Sequence, residues 1–206
     1  MKEFEKIASY LLLRSSSVRN IGLYHGKMGI VLTLYIYSKC YGAKVYQDFA
    51  WDLLQDIYKE VHDGMPIGLE ERLAGIGFGI TLLRKANLID ADLNCVLSEL
   101  DSKIMDYDPR RIKDFSYRTG AAGLFDYINL RFSVDTSNIS FDRGYLSELN
   151  QLIQLNSSKL EKTNFISDLI CPIWEIKDYI DQNLGIDNGC SYFIIKNLYD
   201  TIFHNK

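Results

Sequence analysis

A glycine pattern that returns at a regular interval constrains this chain more than any other feature. Four segments match or nearly match Gly-Φ-x-x-Gly-x-x-Gly-Φ, where Φ is apolar: Gly22–Ile30, Gly68–Ile76, Ser116–Leu124 and Gly185–Phe193. The second, third and fourth copies each replace a different glycine. The first three copies start at intervals on the order of 47 residues, and the fourth follows after a longer gap. Such a period is typical of stacked helical hairpins.

Each copy of the pattern opens a stretch that is apolar around most of a helix circumference, which predicts a buried helix. These stretches are Met28–Tyr41, Leu73–Ala86, Ala121–Phe132 and Cys190–Phe203. Between them, apolar residues recur at steps of three and four, which predicts half-exposed amphipathic helices. We assign those helices to Tyr46–Val61, Leu93–Ile104, Tyr145–Ile153 and a segment that starts at Pro172 and continues through Ile180.

The sequence therefore predicts an all-α protein in which inner and outer helices alternate. No segment alternates apolar and polar residues with turn residues at both ends, so no sheet is expected. The 206 residues include 14 glycines but only 3 prolines, and we attribute several of the glycines to the repeated helix starts. We predict one domain over residues 1–206.

Composition excludes several classes of protein. A net charge of −4 and a pI near 5.4 lack the basic character of a nucleic-acid binder. The longest apolar run, Met28–Tyr37, is about half of the roughly 20 residues that span a membrane. The first residues do not resemble a signal peptide, and the four cysteines form no CxxC motif. We therefore expect a cytoplasmic protein with reduced thiols and no membrane partner.

The segment Gly22-Leu-Tyr-His-Gly-Lys-Met-Gly29 resembles the GxxHGxxG repeat of the lanthionine synthetase C-like proteins. Gly68–Leu83 and Leu184–Gly189 are similar to further copies, so the resemblance extends over nearly the whole chain. It implies an α/α-toroid, with inner helices ringed by outer ones. About four inner helices are too few for a closed ring of the family's kind, so we expect an incomplete toroid. The implied partner is a peptide substrate or precursor peptide.

Catalytic members of that family bind zinc through two cysteines and a histidine, and the zinc activates a peptide thiolate that forms a thioether ring. In this chain Asp187 and Asn188 occupy the positions of the late Cys-His pair, and Cys190 lies three positions away from the expected cysteine. We therefore predict no metal ligands and a zinc-less protein that binds a peptide and assists its modification or handling.

His25 is the candidate catalytic residue, because an imidazole at an inner-helix start can serve as a general acid or base. The alternative is a histidine that only hydrogen-bonds a neighbouring loop. The candidate peptide-binding residues lie at the same helix starts and are Tyr24, Glu71, Tyr117, Asn188 and Tyr192. For the tyrosines the alternative is that their rings fill the core, and for Glu71 it is a role at the start of its helix.

Other functions remain open at this point. One is an active peptide cyclase completed by a partner chain, and another is a toroidal glycoside hydrolase in which Glu71 pairs with Asp114 or Asp187 across a cleft. An open arc of hairpins would expose apolar flanks at both ends, which favours a homodimer. We assign Gly75–Gly79 to close helix packing rather than to nucleotide binding, and the basic segment Asp108–Lys113 to a solvated loop.

Overall fold

The computed structural model of this chain describes residues 2–134 and 139–203. Over those residues the chain is helical and contains no β-strand, as the sequence predicts. It divides into two compact units. The first unit comprises the chain up to Glu60 together with the chain from Phe165 onward, and the second is Val61–Asn164. That residues 1–206 form a single domain stays a prediction.

The first unit is centred on one almost fully buried helix. Its helices are α1 (Lys2–Arg14), α2 (Lys27–Tyr41), α3 (Lys44–Glu60), the short α8 (Phe165–Asp168) and α9 (Cys190–Phe203). Helix α2 is buried from Lys27 to Ser38, whereas α1 and α3 each bury one apolar stripe. Helix α2 packs against α3 and α9. It ends at Gly42, whose left-handed φ of 67° closes the last turn through a bond from its N–H to Ser38 O.

The second unit repeats this plan with two buried helices. It contains α4 (Leu73–Lys85), α5 (Leu93–Met105), α6 (Ala121–Val134) and α7 (Arg143–Leu155). Helix α4 is buried as far as Leu83 and packs against α5 and α6. The half-exposed helices α5 and α7 begin at Asp92 and Asp142, whose side chains accept hydrogen bonds from the first free backbone N–H groups. The predicted alternation of buried and half-exposed helices is confirmed for these elements.

The helices α2, α4, α6 and α9 are each preceded by a seven-residue loop, which we call the helix-start loop. Loops 1 to 4 are residues 20–26, 66–72, 114–120 and 183–189. In all four, the N–H of the first helical residue donates to the carbonyl oxygen of the first loop residue. These bonds are Lys27 to Asn20 at 2.8 Å, Leu73 to Pro66 at 3.2 Å, Ala121 to Asp114 at 2.9 Å and Cys190 to Asn183 at 2.7 Å. The glycine pattern in the sequence therefore marks a structural repeat.

The last position of these loops explains why glycine recurs. At Gly26, Gly120 and Gly189, an added Cβ would lie 2.6, 2.5 and 2.8 Å from the carbonyl oxygen of the first residue of the same loop. Backbone atoms cannot yield to such a contact, so a side chain is excluded at these positions. Loop 2 ends at Arg72 instead, and its closing hydrogen bond is the longest of the four.

The helix-start loops pair within each unit. In the first unit, the N–H groups of Ile186 and Asp187 in loop 4 donate to Tyr24 O in loop 1, at 2.9 and 3.1 Å. These loops precede α9 and α2, which pack against each other. The flanks of the first and last inner helices, expected to be exposed in an open arc, therefore cover each other in this unit.

The second unit has the same pairing at the corresponding positions. The N–H groups of Leu69 and Glu70 in loop 2 donate to Arg118 O in loop 3, at 2.8 and 2.9 Å. The side chains add an ion pair, since Arg118 Nη1 lies 3.0 Å from Glu70 Oε1. Each unit is thus built around one pair of loops with the same backbone design.

The helix predicted from Pro172 through Ile180 is wrong. This segment contains only a 3₁₀ turn at Ile176–Asp178. Ile173 is 99% exposed and Ile180 is 61% exposed, so the apolar spacing does not correspond to a buried face. Asp181 has a left-handed φ of 63°, which interrupts a right-handed helix.

In the described part of the chain, no helix combines the length and the apolar character that crossing a bilayer requires.

Candidate functional site

The pairing of loops 1 and 4 brings together two side chains that lie far apart in sequence, His25 and Asp187. The Nε2 atom of His25 lies 3.6 Å from Oδ2 of Asp187. The carboxylate is buried, with 2% of its side chain exposed, whereas 29% of the His25 side chain reaches solvent. The other carboxylate oxygen, Oδ1, accepts a hydrogen bond from Ile170 N at 2.6 Å.

This arrangement suits an acid–base group. A buried carboxylate beside an imidazole restricts the orientation of the ring. The 3.6 Å between His25 and Asp187 is longer than a close hydrogen bond. Because part of the imidazole is exposed, the ring can exchange a proton with a molecule bound at the surface.

Gly185 allows the close approach of the two loops. A Cβ at this position would lie 2.5 Å from Tyr24 O and 2.8 Å from His25 Cα, both of them backbone atoms. Any side chain would push loop 4 away from the histidine. Gly68 has the corresponding position in the second unit, where a Cβ would lie 3.0 Å from Thr119 Cα. There the position of His25 is occupied by Thr119, so the second unit repeats the backbone but not the imidazole.

Two predicted peptide-binding residues lie near this pair along loop 4 and α9. Asn188 is exposed, has a left-handed φ of 47° and donates its N–H to Ile170 O at 2.9 Å. Tyr192, in the first turn of α9, is half-buried and hydrogen-bonds Cys171. Its phenol pKa is raised, mainly by burial and also by the neighbouring Cys171 thiol.

Two other predicted peptide-binding residues, Tyr24 and Tyr117, are buried. Tyr24 is 0% exposed and Tyr117 is 1% exposed. The Tyr24 ring packs edge-on against Phe165, with ring centroids 5.9 Å apart. Tyr117 donates its hydroxyl to Asp126 Oδ2 at 2.5 Å. In this conformation both rings fill the core, which favours the structural alternative over contact with a peptide.

The acidic residues of loops 2 and 3 have different surroundings. Glu71 is half-buried in the turn before α4. Asp114 accepts hydrogen bonds from Ser116 N at 2.9 Å and Thr119 Oγ1 at 2.6 Å. These donors hold the pKa of Asp114 below its usual value, whereas a glycosidase general acid needs a raised pKa. Asp114 therefore does not suit the general acid of such an enzyme, and its two hydrogen bonds stabilise loop 3.

The cysteines do not match the zinc site of the catalytic lanthionine synthetases. All four are free thiols. Cys190 is buried and donates its Sγ hydrogen to Tyr179 O at 3.5 Å, and burial raises its pKa to about 12. His25 faces Asp187 rather than a cysteine.

Sequence reasoning identified His25 but missed its partner. It placed Asp187 where a cysteine was expected and, in the glycoside hydrolase alternative, paired it with Glu71. In the repeat, Asp187 and Tyr24 each hold the third position, but four similar loops do not show which two meet. Ile170 and Cys171 lie in an irregular segment, where no periodicity could have assigned them to the site.

Comparison with models of known protein families and with curated proteins found no match.

Proposed function

We propose that this chain is a zinc-less lanthionine synthetase C-like protein that binds a peptide and assists the modification or handling of a ribosomally made peptide. The observation that carries the proposal is the His25–Asp187 pair, a partly exposed imidazole held against a buried carboxylate 3.6 Å away. His25 stands at the histidine position of the GxxHGxxG repeat that this chain resembles.

In this proposal His25 handles protons and Asp187 positions it. An imidazole at such a site removes a proton from a thiol or hydroxyl group of the peptide and returns one to the product. Asp187 stabilises the protonated ring during that exchange. The exposed amide of Asn188 and the hydroxyl of Tyr192 are the side chains that we assign to the peptide. For Glu71, in the second unit, contact with a peptide is a separate proposal.

We also propose the incomplete α/α-toroid as the arrangement of the helices. Its support is the repeat of four helix-start loops with the same closing hydrogen bond. The alternation of buried and half-exposed helices gives further support. Neither observation requires a second copy, so the homodimer is a separate proposal that light scattering tests. A cytoplasmic location agrees with four free thiols.

A thiol-addition assay tests the function. The probe is a synthetic peptide that carries one cysteine and one dehydroalanine, with binding followed by calorimetry and thiol loss followed colorimetrically. We expect the protein to bind the peptide and accelerate thiol addition, and we expect His25→Gln to lower the rate roughly 10- to 100-fold.

The matched control is His62→Gln, because His62 is an exposed histidine whose ring bonds the neighbouring Asp63 carbonyl. This variant should retain the rate of the unmodified chain. Absence of peptide binding, or equal losses of rate in the two histidine variants, would refute the proposal.

A further inference from the structure

A second feature lies entirely within the second unit and uses none of the residues of the His25–Asp187 pair. It is a cavity of about 680 Å³, a size typical of small-molecule sites. Its wall includes residues of loops 2 and 3 and of the segment that follows α5. The residues that matter for the argument are Ile67, Arg72, Tyr107, Arg111, Ile112 and Lys113.

Three cations line this cavity: Arg72, Arg111 and Lys113. Within residues 2–134 and 139–203, the side chains of Arg72 and Lys113 make no hydrogen bond or ion pair. Arg111 is 86% exposed, and its Nε lies 3.8 Å from Asp108 Oδ2, beyond hydrogen-bond distance. The donor capacity of these three side chains is therefore available to a ligand.

The carboxylates of the same wall are more strongly engaged. Asp108 accepts two side-chain bonds from Arg110, at 2.9 and 3.0 Å, so a guanidinium outside the wall balances its charge. Asp114 accepts the two bonds within loop 3 described above. Asp106 is exposed. The wall thus holds three cations and three carboxylates, and two of the carboxylates, Asp108 and Asp114, are already engaged in hydrogen bonds.

The rest of the wall is largely apolar. Ile67 and Ile112 contribute aliphatic surface, and Tyr107 contributes an aromatic ring that is 44% exposed. A large exposed tyrosine beside cations is typical of sites that bind a ring next to a charged group. A bare inorganic ion would leave this surface in contact with water.

We propose that this cavity binds a small organic anion, a carboxylate or phosphate ester with an aromatic or aliphatic body. Arg72, Arg111 and Lys113 hold the anionic group, while Ile67, Tyr107 and Ile112 contact the body. The inference goes beyond the proposed peptide function and does not depend on it. The segment Asp108–Lys113, interpreted from sequence as a solvated basic loop, is here part of a binding site.

Calorimetry and amide chemical-shift mapping with four probes test the site. The probes are phenyl phosphate, benzoate, inorganic phosphate and the neutral benzyl alcohol. We expect one or both aromatic anions to bind at least ~10-fold more tightly than inorganic phosphate and benzyl alcohol, with shifts in loops 2 and 3. Which aromatic anion binds more tightly distinguishes a phosphate ester from a carboxylate.

Charge-removing variants connect the binding to named side chains. Arg72→Gln and Lys113→Gln should each weaken the tighter aromatic anion roughly 3- to 10-fold. Both side chains are exposed, so the fold should persist, and circular dichroism checks this. The matched control is Lys85→Gln, an exposed cation at the opposite end of α4, which should bind as the unmodified chain does.

Three results would overturn the proposal. Benzyl alcohol binding as tightly as the aromatic anions would show that the cations play no part. Inorganic phosphate binding as tightly would show that the apolar wall plays no part. An equal loss in Lys85→Gln would show that net charge, not the cavity, controls binding.

Discussion

Asp187 interacts with His25 and with the backbone through different oxygen atoms. Its Oδ2 lies 3.6 Å from Nε2 of His25, and its Oδ1 accepts the Ile170 N–H at 2.6 Å. The first interaction depends on negative charge, whereas the second needs only an acceptor oxygen. Substitutions can therefore separate the effect on the imidazole from the effect on the loop.

Asp187→Asn should preserve the loop, since an asparagine oxygen can still accept the Ile170 bond. Asp187→Ala should lower the free energy of unfolding by about 1–3 kcal/mol more than Asp187→Asn, because a partly buried N–H loses its acceptor. Urea unfolding of the two variants measures this difference. Both variants should slow the peptide reaction, because both remove the charge that stabilises the imidazolium. Equal stabilities would show that the Ile170 bond contributes nothing.

Gly123→Ala should strongly destabilise the second unit. A Cβ there would lie 1.9 Å from Tyr117 O and 2.9 Å from Leu69 Cβ, so the start of α6 would have to move. We expect a loss of at least ~2 kcal/mol. Gly144→Ala, in the first turn of α7, is the control, because its nearest contact is the side-chain oxygen of Asp142 at 2.9 Å. It should change stability by under ~1 kcal/mol. Thermal unfolding distinguishes the two, and similar values for both would contradict the packing argument.

Removing one partner of the fully buried ion pair of Asp101 and Arg131 should lower the free energy of unfolding strongly. Replacing both partners with apolar residues should lower it much less. Arg131 Nη2 lies 3.3 Å from Asp101 Oδ2, and the carboxylate also accepts hydrogen bonds from Tyr127 Oη at 2.5 Å and Ser140 Oγ at 3.0 Å. Asp101→Ala should cost about 3–5 kcal/mol, because it leaves a buried charge unpaired.

Adding Arg131→Met to an Asp101→Leu variant should restore much of the stability that Asp101→Leu alone loses, since both charges are then gone. Denaturant unfolding of the single and double variants checks this. Additive losses in the double variant would show that the two side chains do not depend on each other.

Asp114 should make stability depend on acid pH. Its hydrogen bonds from Thr119 and Ser116 lower the pKa of the folded form below the ordinary 3.8. The stabilisation is therefore complete above pH 3.8 and is lost as the pH falls through the lower pKa of the folded state. Unfolding at pH 6 and at pH 2.5 should show a smaller pH-dependent loss for Asp114→Asn than for the unmodified chain.

Because Asp114 is exposed, the difference at pH 6 should stay under ~1 kcal/mol. Asp90→Asn makes the same change at another exposed position in the second unit and should follow the unmodified chain at both pH values. An equally reduced pH dependence of stability in Asp90→Asn would show that net charge, not the hydrogen bonds of Asp114, causes the effect.

The helices that are buried on most sides were predictable from their apolar residues. The stretches that begin near Met28 and Leu73 are helices buried on most sides, and α6 buries half of its residues. The prediction of a mostly buried helix from Cys190 is wrong, because α9 buries only Cys190, Ser191, Ile194 and Ile195. The segment from Pro172 to Ile180 has the three-and-four spacing of a half-exposed helix, but Ile173 and Ile180 remain exposed. Spacing alone cannot show whether a partner surface exists. Helix α1 buries only Ile7, Ala8 and Leu11, a stripe too short for us to assign.

The candidate site was predictable only in part, because its geometry depends on which loops pair. His25 is marked by its place in the repeat. Asp187 becomes its neighbour through hydrogen bonds from loop 4 to the Tyr24 carbonyl, and a sequence with four similar loops does not show which two will meet. The burial of Tyr24 likewise depends on packing against Phe165, which lies far away in sequence.

The packing of α2 against α9 also has a consequence for the order of folding. Val61–Asn164 is continuous in sequence, so the second unit is translated whole before Cys190. The first unit needs contacts between residues on both sides of that insertion, and closing so long a loop is slow. During synthesis, helix α2, whose surface is almost entirely apolar, therefore lacks its packing partner α9. That interval is when the nascent chain is most open to chaperone binding and aggregation.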